Sequence, residues 1–225
     1  MRAPISVIIP TLNAADRLPE CLAALGEGLA SGYIRELIVS DGGSTDATLT
    51  IAEAAGATVV KGPASRGGQL QRGANKAQGD WLLFLHADTV LQEGWTAAVN
   101  KAMGAQGAYY FLLRFDTAGI APRLVAGWAN VRSRLFGLPY GDQGLLVDRV
   151  TYDTAQGFSD IPLMEDVALA RALRGKLSPL AANALTSAEK YQRQGWARRG
   201  GRNLWTLVRY WGGVAPETLA KAYRR

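Results

Sequence analysis

The chain alternates between short apolar runs and stretches with helical spacing. "SVIIP", residues 6–10, has the length of a strand. Behind it, in "AADRLPECLAAL", Leu18, Cys21, Leu22 and Leu25 recur at helical spacing after Asn13, a residue type that caps helices. "ELIVS" predicts a second strand, "TDATLTIAEAA" a helix, "TVVK" a third strand and "GGQLQRGANKA" another helix. "WLLFLHAD", residues 81–88, reads as a fourth strand, and the helix after it carries Trp95, Ala98 and Met103. Such alternation predicts βαβ units, hence an α/β fold with a mostly parallel central sheet flanked by helices. The remainder is less regular. "AYYFLLRF" and "DQGLLVD" predict strands on either side of a helical "PRLVAGWANVRSRLF". A short helix "EDVALARALR", a strand near "ANALTSAEKY" and a C-terminal helix over Trp196–Trp211 follow.

In open parallel sheets, ligands gather outside the carboxyl ends of the strands. The first strand ends in "PTLN", the second in "DGGSTD" and the fourth in "HAD", so Asn13, Asp41, His86 and Asp88 are expected on one edge. Any one of them alone is ordinary turn chemistry. His86, the only histidine in the chain, has three readings: a core residue, a metal ligand beside Asp88, or a contact to a substrate that the metal also holds. Asp88 is placed for a divalent ion. A lone carboxylate holds Mg²⁺ or Mn²⁺ with the help of substrate phosphates, so a diphosphate ligand is expected, the ion offsetting charge on the departing group. Glu165 and Asp166 open a helix whose Val167, Leu169, Ala170 and Leu173 form an apolar stripe. Acids in a first turn offset the helix dipole. The functional reading instead makes Asp166 a general base.

Composition narrows the class. With 225 residues, 48% of them hydrophobic and 20% charged, the chain is expected to form one globular domain. Cys21 is the only cysteine, which excludes an internal disulfide, and its company of leucines predicts a core residue. The N-terminal apolar run is too short for a secretory signal, and no apolar run reaches the ~18 residues of a membrane span, so a cytoplasmic protein is expected. The net charge of +6 is concentrated. Residues 187–225 hold nine Lys or Arg against two acids, leaving 16 against 17 in residues 1–186. A neutral body with a basic tail does not predict a nucleic-acid partner. "IIPTLNAAD" lacks the glycines of a dinucleotide turn, and the phosphate-cradling loop and the nucleophile elbow of hydrolases are both absent. A haloacid-dehalogenase-type phosphatase would need its nucleophilic carboxylate where His86 stands.

Five stretches, "SVIIPTLNAADRLPECLAAL", "ELIVSDGGSTDATLTIA", "GDWLLFLHADT", "YGDQGLLV" and "PLMEDVALARALR", together resemble glycosyltransferase family 2 enzymes of the GT-A fold. Within that family the chain is most similar to small bacterial soluble members that carry "LHADT" and end in a basic helix. The resemblance implies inverting transfer from a nucleotide sugar, UDP-linked in most members, to a hydroxyl or carboxyl acceptor. It implies that Pro10 and Asn13 line the nucleotide pocket, that Asp41 hydrogen-bonds the base, and that Arg66 contacts the nucleotide. It makes Asp88 the metal ligand, Asp166 the catalytic base, and Glu165 an acceptor contact or an orienter of the base. Asp142 and Gln143 would face the donor sugar or the acceptor. His86 replaces an aspartate of the family's metal motif, which favours a ribose or diphosphate contact over metal ligation. Residues 1–90 would then bind the nucleotide sugar and 91–186 the acceptor, with 187–225 a basic amphipathic segment.

Two questions stay open. The tail either packs an apolar side of Leu204, Leu207, Val208 and Trp211 on the body, or borders the acceptor cleft and rests on anionic lipid at the inner face of the membrane, presenting a lipid-linked acceptor. The rival from another class is a nucleotide- or lipid-binding protein on the same fold without transfer activity, against which Asp41, Asp88 and Asp166 speak.

Overall fold

The computed structural model describes residues 3–223. The first half runs β1 (Ile5–Thr11), α1 (Leu18–Ala24), α2 (Gly26–Ala30), β2 (Ile34–Asp41), α3 (Thr48–Ala54), β3 (Thr58–Lys61), α4 (Arg66–Lys76) and β4 (Trp81–Phe84). The chain continues through β5 (Thr89–Leu91), α5 (Trp95–Ala102), β6 (Ala108–Phe115), α6 (Ile120–Phe136), β7 (Leu145–Asp148) and α7 (Arg149–Thr154). It ends with α8 (Glu165–Ala172), β8 (Leu177–Thr186), α9 (Glu189–Gln194), α10 (Trp196–Trp211) and α11 (Pro216–Tyr223). All eight strands join one sheet in the order β3-β2-β1-β4-β7-β6-β8-β5. Strands β3, β2, β1 and β4 are mutually parallel, β7 is antiparallel to β4 and β6, β8 is parallel to β6, and β5 closes the edge antiparallel to β8.

At the centre of the parallel half, β1 and β4 read as continuous apolar runs because both faces of these strands are covered, whereas β3 at the edge is half-exposed. Ile5, Val7 and Ile9 of β1 point into one cluster with Leu18, Cys21, Trp95 and Val99. Ile8 points into the opposite cluster, where Leu70 and Ala74 of α4 and Leu169 of α8 pack. Cys21 is thus buried and free, as its spacing predicted. Gly73 lets α4 lie directly on β1, since a Cβ there would sit 2.4 Å from a methyl of Ile8. Two smaller clusters tie on the rest: α6 packs on β6, and α8 meets α10 and α11 through Met164, Val167, Leu207 and Leu219.

The β4–β5 connection shapes the sheet. Its four linking residues, Leu85 to Asp88, join strands that stand four steps apart in the sheet order. Four steps across a flat sheet span about 19 Å. The link, fully extended from Phe84 to Thr89, spans about 18 Å at most, and it is not fully extended, because Thr89 N donates to His86 O in a turn. The sheet therefore curls, bringing β5 around toward β4.

Several expectations are corrected. Asn13 does not cap α1: the N-cap is Arg17 with no side-chain bond, and Asn13 (φ 51°) instead accepts from Thr45 N at 2.9 Å. The fourth strand ends at Phe84, so His86 and Asp88 lie in the link after it. The strand near the C-terminus starts earlier than its pattern indicates, at Leu177, and the pattern does not show α2, β5, α7, α9 and α11. The glycine pair Gly200-Gly201 leaves α10 unbroken. No helix among the described residues is long and apolar enough to cross a membrane.

Candidate active site

A cleft with two lobes opens at the carboxyl ends of the parallel strands. The open lobe, about 540 Å³, is walled by Pro10 to Ala14, by Ser65, Arg66 and Gln69 at the start of α4, and by the 86–88 link. The deep lobe, about 210 Å³, lies between the start of α8, the 140–142 turn and the inner side of α10. Arg66, His86, Asp88, Ser187 and Lys190 line both lobes and so mark their junction.

Strand ends and hydrogen-bonded turns build the open lobe. Gln69, buried on α4, donates to Thr11 O (2.7 Å) and Ser40 O (3.0 Å) and ties the ends of β1 and β2 together. Asp41 arrives at this edge but is turned inward and 1% exposed. Its carboxylate accepts from Thr11 Oγ1, Gly43 N, and both Ser44 N and Ser44 Oγ, at 2.5–2.8 Å. Burial alone would raise its pKa; the bonds from Ser44, Thr11 and Gly43 outweigh that and hold it below the ordinary value. With its oxygens committed to protein donors, Asp41 shapes the 42–45 turn and is not a wall of either lobe. Pro10 and Asn13 do line the open lobe.

At the junction, Arg66 Nε meets Glu165 Oε1 at 3.1 Å, and its Nη2 lies 2.6 Å from Nε2 and 3.0 Å from Nδ1 of His86. Burial, then the charges of Arg66 and Lys190, hold His86 well below its ordinary pKa, so the ring is neutral. Gly141 makes room for it: a Cβ there would stand 2.3 Å from His86 Nε2. The lone histidine therefore packs in a lock between Arg66 and the 141 backbone, with both ring nitrogens against Arg66 Nη2. Asp88, 29% exposed, has Lys190 Nζ 3.8 Å away. Among the described residues, no group of three or more His, Cys, Asp or Glu is arranged to hold a metal ion.

In the deep lobe, α8 starts at Glu165 after Met164, whose left-handed φ of 68° turns the chain into the helix. Glu165 and Asp166 then point apart. Asp166 Oδ2 accepts from Gly141 N at 2.9 Å and Oδ1 from Val167 N at 2.7 Å, and the carboxylate faces the lobe. Glu165 is 1% exposed, bonded to Arg66 through one oxygen, and its Oε2 is buried without a partner. Burial pushes this carboxyl up, Arg66 pulls it back and Asp166 adds to the rise, leaving it at about 7. Asp142 also lines the lobe, with Oδ1 buried and unpartnered; burial raises its pKa against the pull of Arg132.

Gln143 corrects the expectation of a substrate contact. It is 0% exposed. Its Oε1 accepts from Ser133 Oγ at 2.6 Å, and its Nε2 donates to Phe111 O and Asn130 Oδ1. The tight 3₁₀ turn over Gly141–Gln143 sends Asp142 to the cleft and Gln143 inward, where it bolts the turn to α6.

The cleft also has walls that the sequence did not announce: Lys190 at the junction, and Tyr140, Tyr191, Arg199, Asn203, Thr206 and Tyr223 in the deep lobe. The helical spacing of Arg199, Asn203 and Thr206 was the available signal. Tyr191 and Tyr223 are stitched to this helix through Asn203, by bonds of 3.1 and 2.8 Å.

Residues 6–133 match the family described as Glycosyl transferase family 2. A PGL/p-HBAD biosynthesis glycosyltransferase of Mycobacterium bovis is 41% identical over 106 residues, covering 44% of this chain and 41% of that protein. A glucosyl-3-phosphoglycerate synthase of Mycolicibacterium paratuberculosis is 34% identical over 95 residues, covering 38% and 29% of the two chains. The chain thus spans well under half the length of these relatives. Among solved structures, glucosyl-3-phosphoglycerate synthase of Mycobacterium tuberculosis, crystallised with Mn²⁺, UDP and glucosyl-3-phosphoglycerate, superposes with a TM-score of 0.58 at 22% identity, over 82% of this chain and 70% of that one. S. aureus TarS gives 0.63 at 15% identity, over 91% and 64%. These likenesses establish the curled, mostly parallel sheet as the GT-A fold. With more than half of its length matched by the family pattern, the chain belongs to glycosyl transferase family 2.

Proposed function

We propose that the protein moves a sugar from a UDP-linked donor to a hydroxyl or carboxyl acceptor with inversion at the anomeric carbon. Residues 1–90 form the donor half, 91–186 the acceptor half and 187–225 the wall between acceptor and surroundings. The observation that carries this reading is that Asp88 and Asp166 line one cleft together with the Arg66–His86 pair. The donor diphosphate occupies the open lobe and the acceptor the deep one. Asp166, free to take a proton on lone pairs not used by Gly141 and Val167, removes the acceptor proton as its oxygen attacks the anomeric carbon. The bond to the diphosphate breaks on the opposite side, and the electron pair leaves with that group. Arg66 and Lys190 face the charge that develops there. Glu165 holds Arg66 in place and, from its bonding, positions the cation more than it touches the acceptor.

The donor set fits a divalent ion of the kind found with UDP in the mycobacterial synthase. A single carboxylate suits Mg²⁺ or Mn²⁺ when a diphosphate and water complete the shell. Asp88 would hold it, and the ion when bound supplies positive charge for the leaving diphosphate. An acceptor carried on a lipid, used at the cytoplasmic face of the membrane, suits a cleft whose outer wall is α10.

The test is a thermal-shift titration with UDP and UDP-sugars, with Mn²⁺ and with EDTA, since a ligand of the folded state stabilises it by mass action. Stabilisation by UDP should grow with Mn²⁺, and Asp88→Ala should lose that growth while keeping the fold. Equal affinity in EDTA would overturn the metal assignment. Absence of any free UDP from a donor after long incubation with acceptor mixtures would favour the binding protein without transfer activity.

A further inference from the structure

Thirteen large hydrophobic side chains stand exposed among the described residues, and ten of them lie on just two helices. On α6 they are Ile120, Leu124, Trp128, Val131, Leu135 and Phe136; on α10 they are Leu204, Trp205, Val208 and Trp211. Steps of three and four residues put each set on one side of its helix. Both helices have already spent another side on packing: Pro122, Ala126 and Ala129 of α6, and Thr206 and Leu207 of α10, are buried. The outward stripes are what remains. Of the two readings left open for the tail, packing of Leu204, Leu207, Val208 and Trp211 on the body therefore holds for Leu207 alone.

The helices lie side by side and run the same way. Trp196, at the start of α10, packs against the cluster that holds Ala126 and Ala129 of α6. Trp211, at its end, shares a groove of about 550 Å³ with Leu135, Phe136 and two arginines of the α8 end, Arg171 and Arg174. The two stripes thus meet at this end, and the α6 stripe alone runs about 25 Å, the length of a 17-residue helix. Monomeric proteins seldom leave such a face bare.

Charge selects the occupant. Neither helix contains an acid; α6 carries Arg123, Arg132 and Arg134, and α10 carries Arg198, Arg199, Arg202 and Arg209. Arg132, Arg199 and Arg202 turn inward onto tyrosine rings, while Arg123, Arg134 and Arg198 are exposed. A second copy docked face to face about a two-fold axis would set arginine against arginine with no carboxylate on either helix to answer. Three exposed tryptophans among aliphatic side chains, rimmed by guanidinium groups, match the acyl boundary and the phosphates of an anionic bilayer.

We infer that the α6–α10 face docks on anionic membrane, with both helices lying in the interface plane. The inference rests on the proposed transfer only for its consequence. The inner side of α10 lines the deep lobe through Arg199, Asn203 and Thr206, so docking its outer side brings the acceptor lobe within about one helix diameter, ~10 Å, of the lipid.

Co-sedimentation of the full chain with phosphatidylcholine vesicles, with and without phosphatidylglycerol, tests this. The protein should bind the phosphatidylglycerol vesicles and release as salt is raised. Leu124→Gln, Trp128→Gln and Leu135→Gln combined, all on the exposed side of α6, should weaken that binding at least about tenfold. The UDP-induced thermal shift should stay unchanged, which reports an intact fold and donor lobe. Arg123→Gln with Arg134→Gln should flatten the salt dependence. No binding to either vesicle, or undiminished binding by the triple variant, overturns the assignment. So does a dimer seen by light scattering that the triple variant dissolves, which would give the face to a second copy. A missing UDP shift in the unmodified protein would count against the proposed function alone, since vesicle binding needs no donor.

Discussion

The two lobes of the cleft are made of different material. The open lobe is built from strand ends and turns fixed by buried hydrogen bonds, with the Nε2 of Gln69 and both carboxylate oxygens of Asp41 spent on backbone and hydroxyl partners. The deep lobe is built largely from side chains, with Tyr191 and Tyr223 hung on Asn203 and two carboxylate oxygens left unpartnered. A wall of backbone admits one shape of ligand and changes little with substitution. A wall of side chains can be re-cut residue by residue. The nucleotide is thus expected in the first, and acceptor selectivity in the second.

The largest effect that would sharpen this division belongs to Asp166. Asp166→Asn should leave UDP binding intact and slow transfer at least about a hundredfold, because general-base catalysis contributes on the order of 10² to 10⁴. Single-turnover measurement of UDP release, beside the thermal shift, separates the lobes. Near-normal transfer would reduce Asp166 to a helix-start acid.

Next comes the partition between the lobes. Gly141→Ala would drive a methyl into His86, and overpacking of this kind costs about 2 kcal/mol. A thermal melt should fall by several degrees. The His86→Ala, Gly141→Ala pair should recover much of the loss, as coupled neighbours do. Additive losses would mean that the histidine is not what the glycine accommodates.

The smallest effect is a slope. Glu165, at about 7 in the folded protein against an ordinary 4.5, binds its proton more tightly folded than unfolded. Its contribution to stability is complete below pH 4.5 and is lost as pH rises toward 7. Glu165→Gln, which imitates the protonated form, should flatten the pH dependence of the melting temperature across that window. An unchanged slope would place the ionised Glu165–Arg66 pair at the junction throughout.

How much of this was legible differs by region for physical reasons. Strands buried on both faces advertise themselves as unbroken apolar runs, so β1 and the Trp81–Phe84 run of β4 could be read directly, whereas β3, an edge strand with exposed Thr58 and Lys61, shows only two valines. Asp166 opens α8, and Asp88 follows β4 by four residues. Gln143 and Asp41 could not be read. Whether a polar side chain in a turn faces a cleft or bolts the turn shut depends on partners far along the chain, such as Asn130 for one and Thr11 for the other. The tail failed for a subtler reason. Periodicity separates two sides of a helix but does not say which is inward. Arginine on tyrosine, as in Arg202 over Tyr223, makes a cationic side as packable as an apolar one.

The short tether between β4 and β5 has a consequence for how tightly a diphosphate can be held. A long loop offering the same aspartate would lose much of its freedom when it closed on a ligand, and that ordering would be subtracted from affinity. Here the link is only four residues long and is clamped at both ends by strands of one sheet. Most of its entropy was surrendered when the protein folded. On the proposed reading, Asp88 would meet its ligand already in position, and the curvature of the sheet would work as stored preparation for binding.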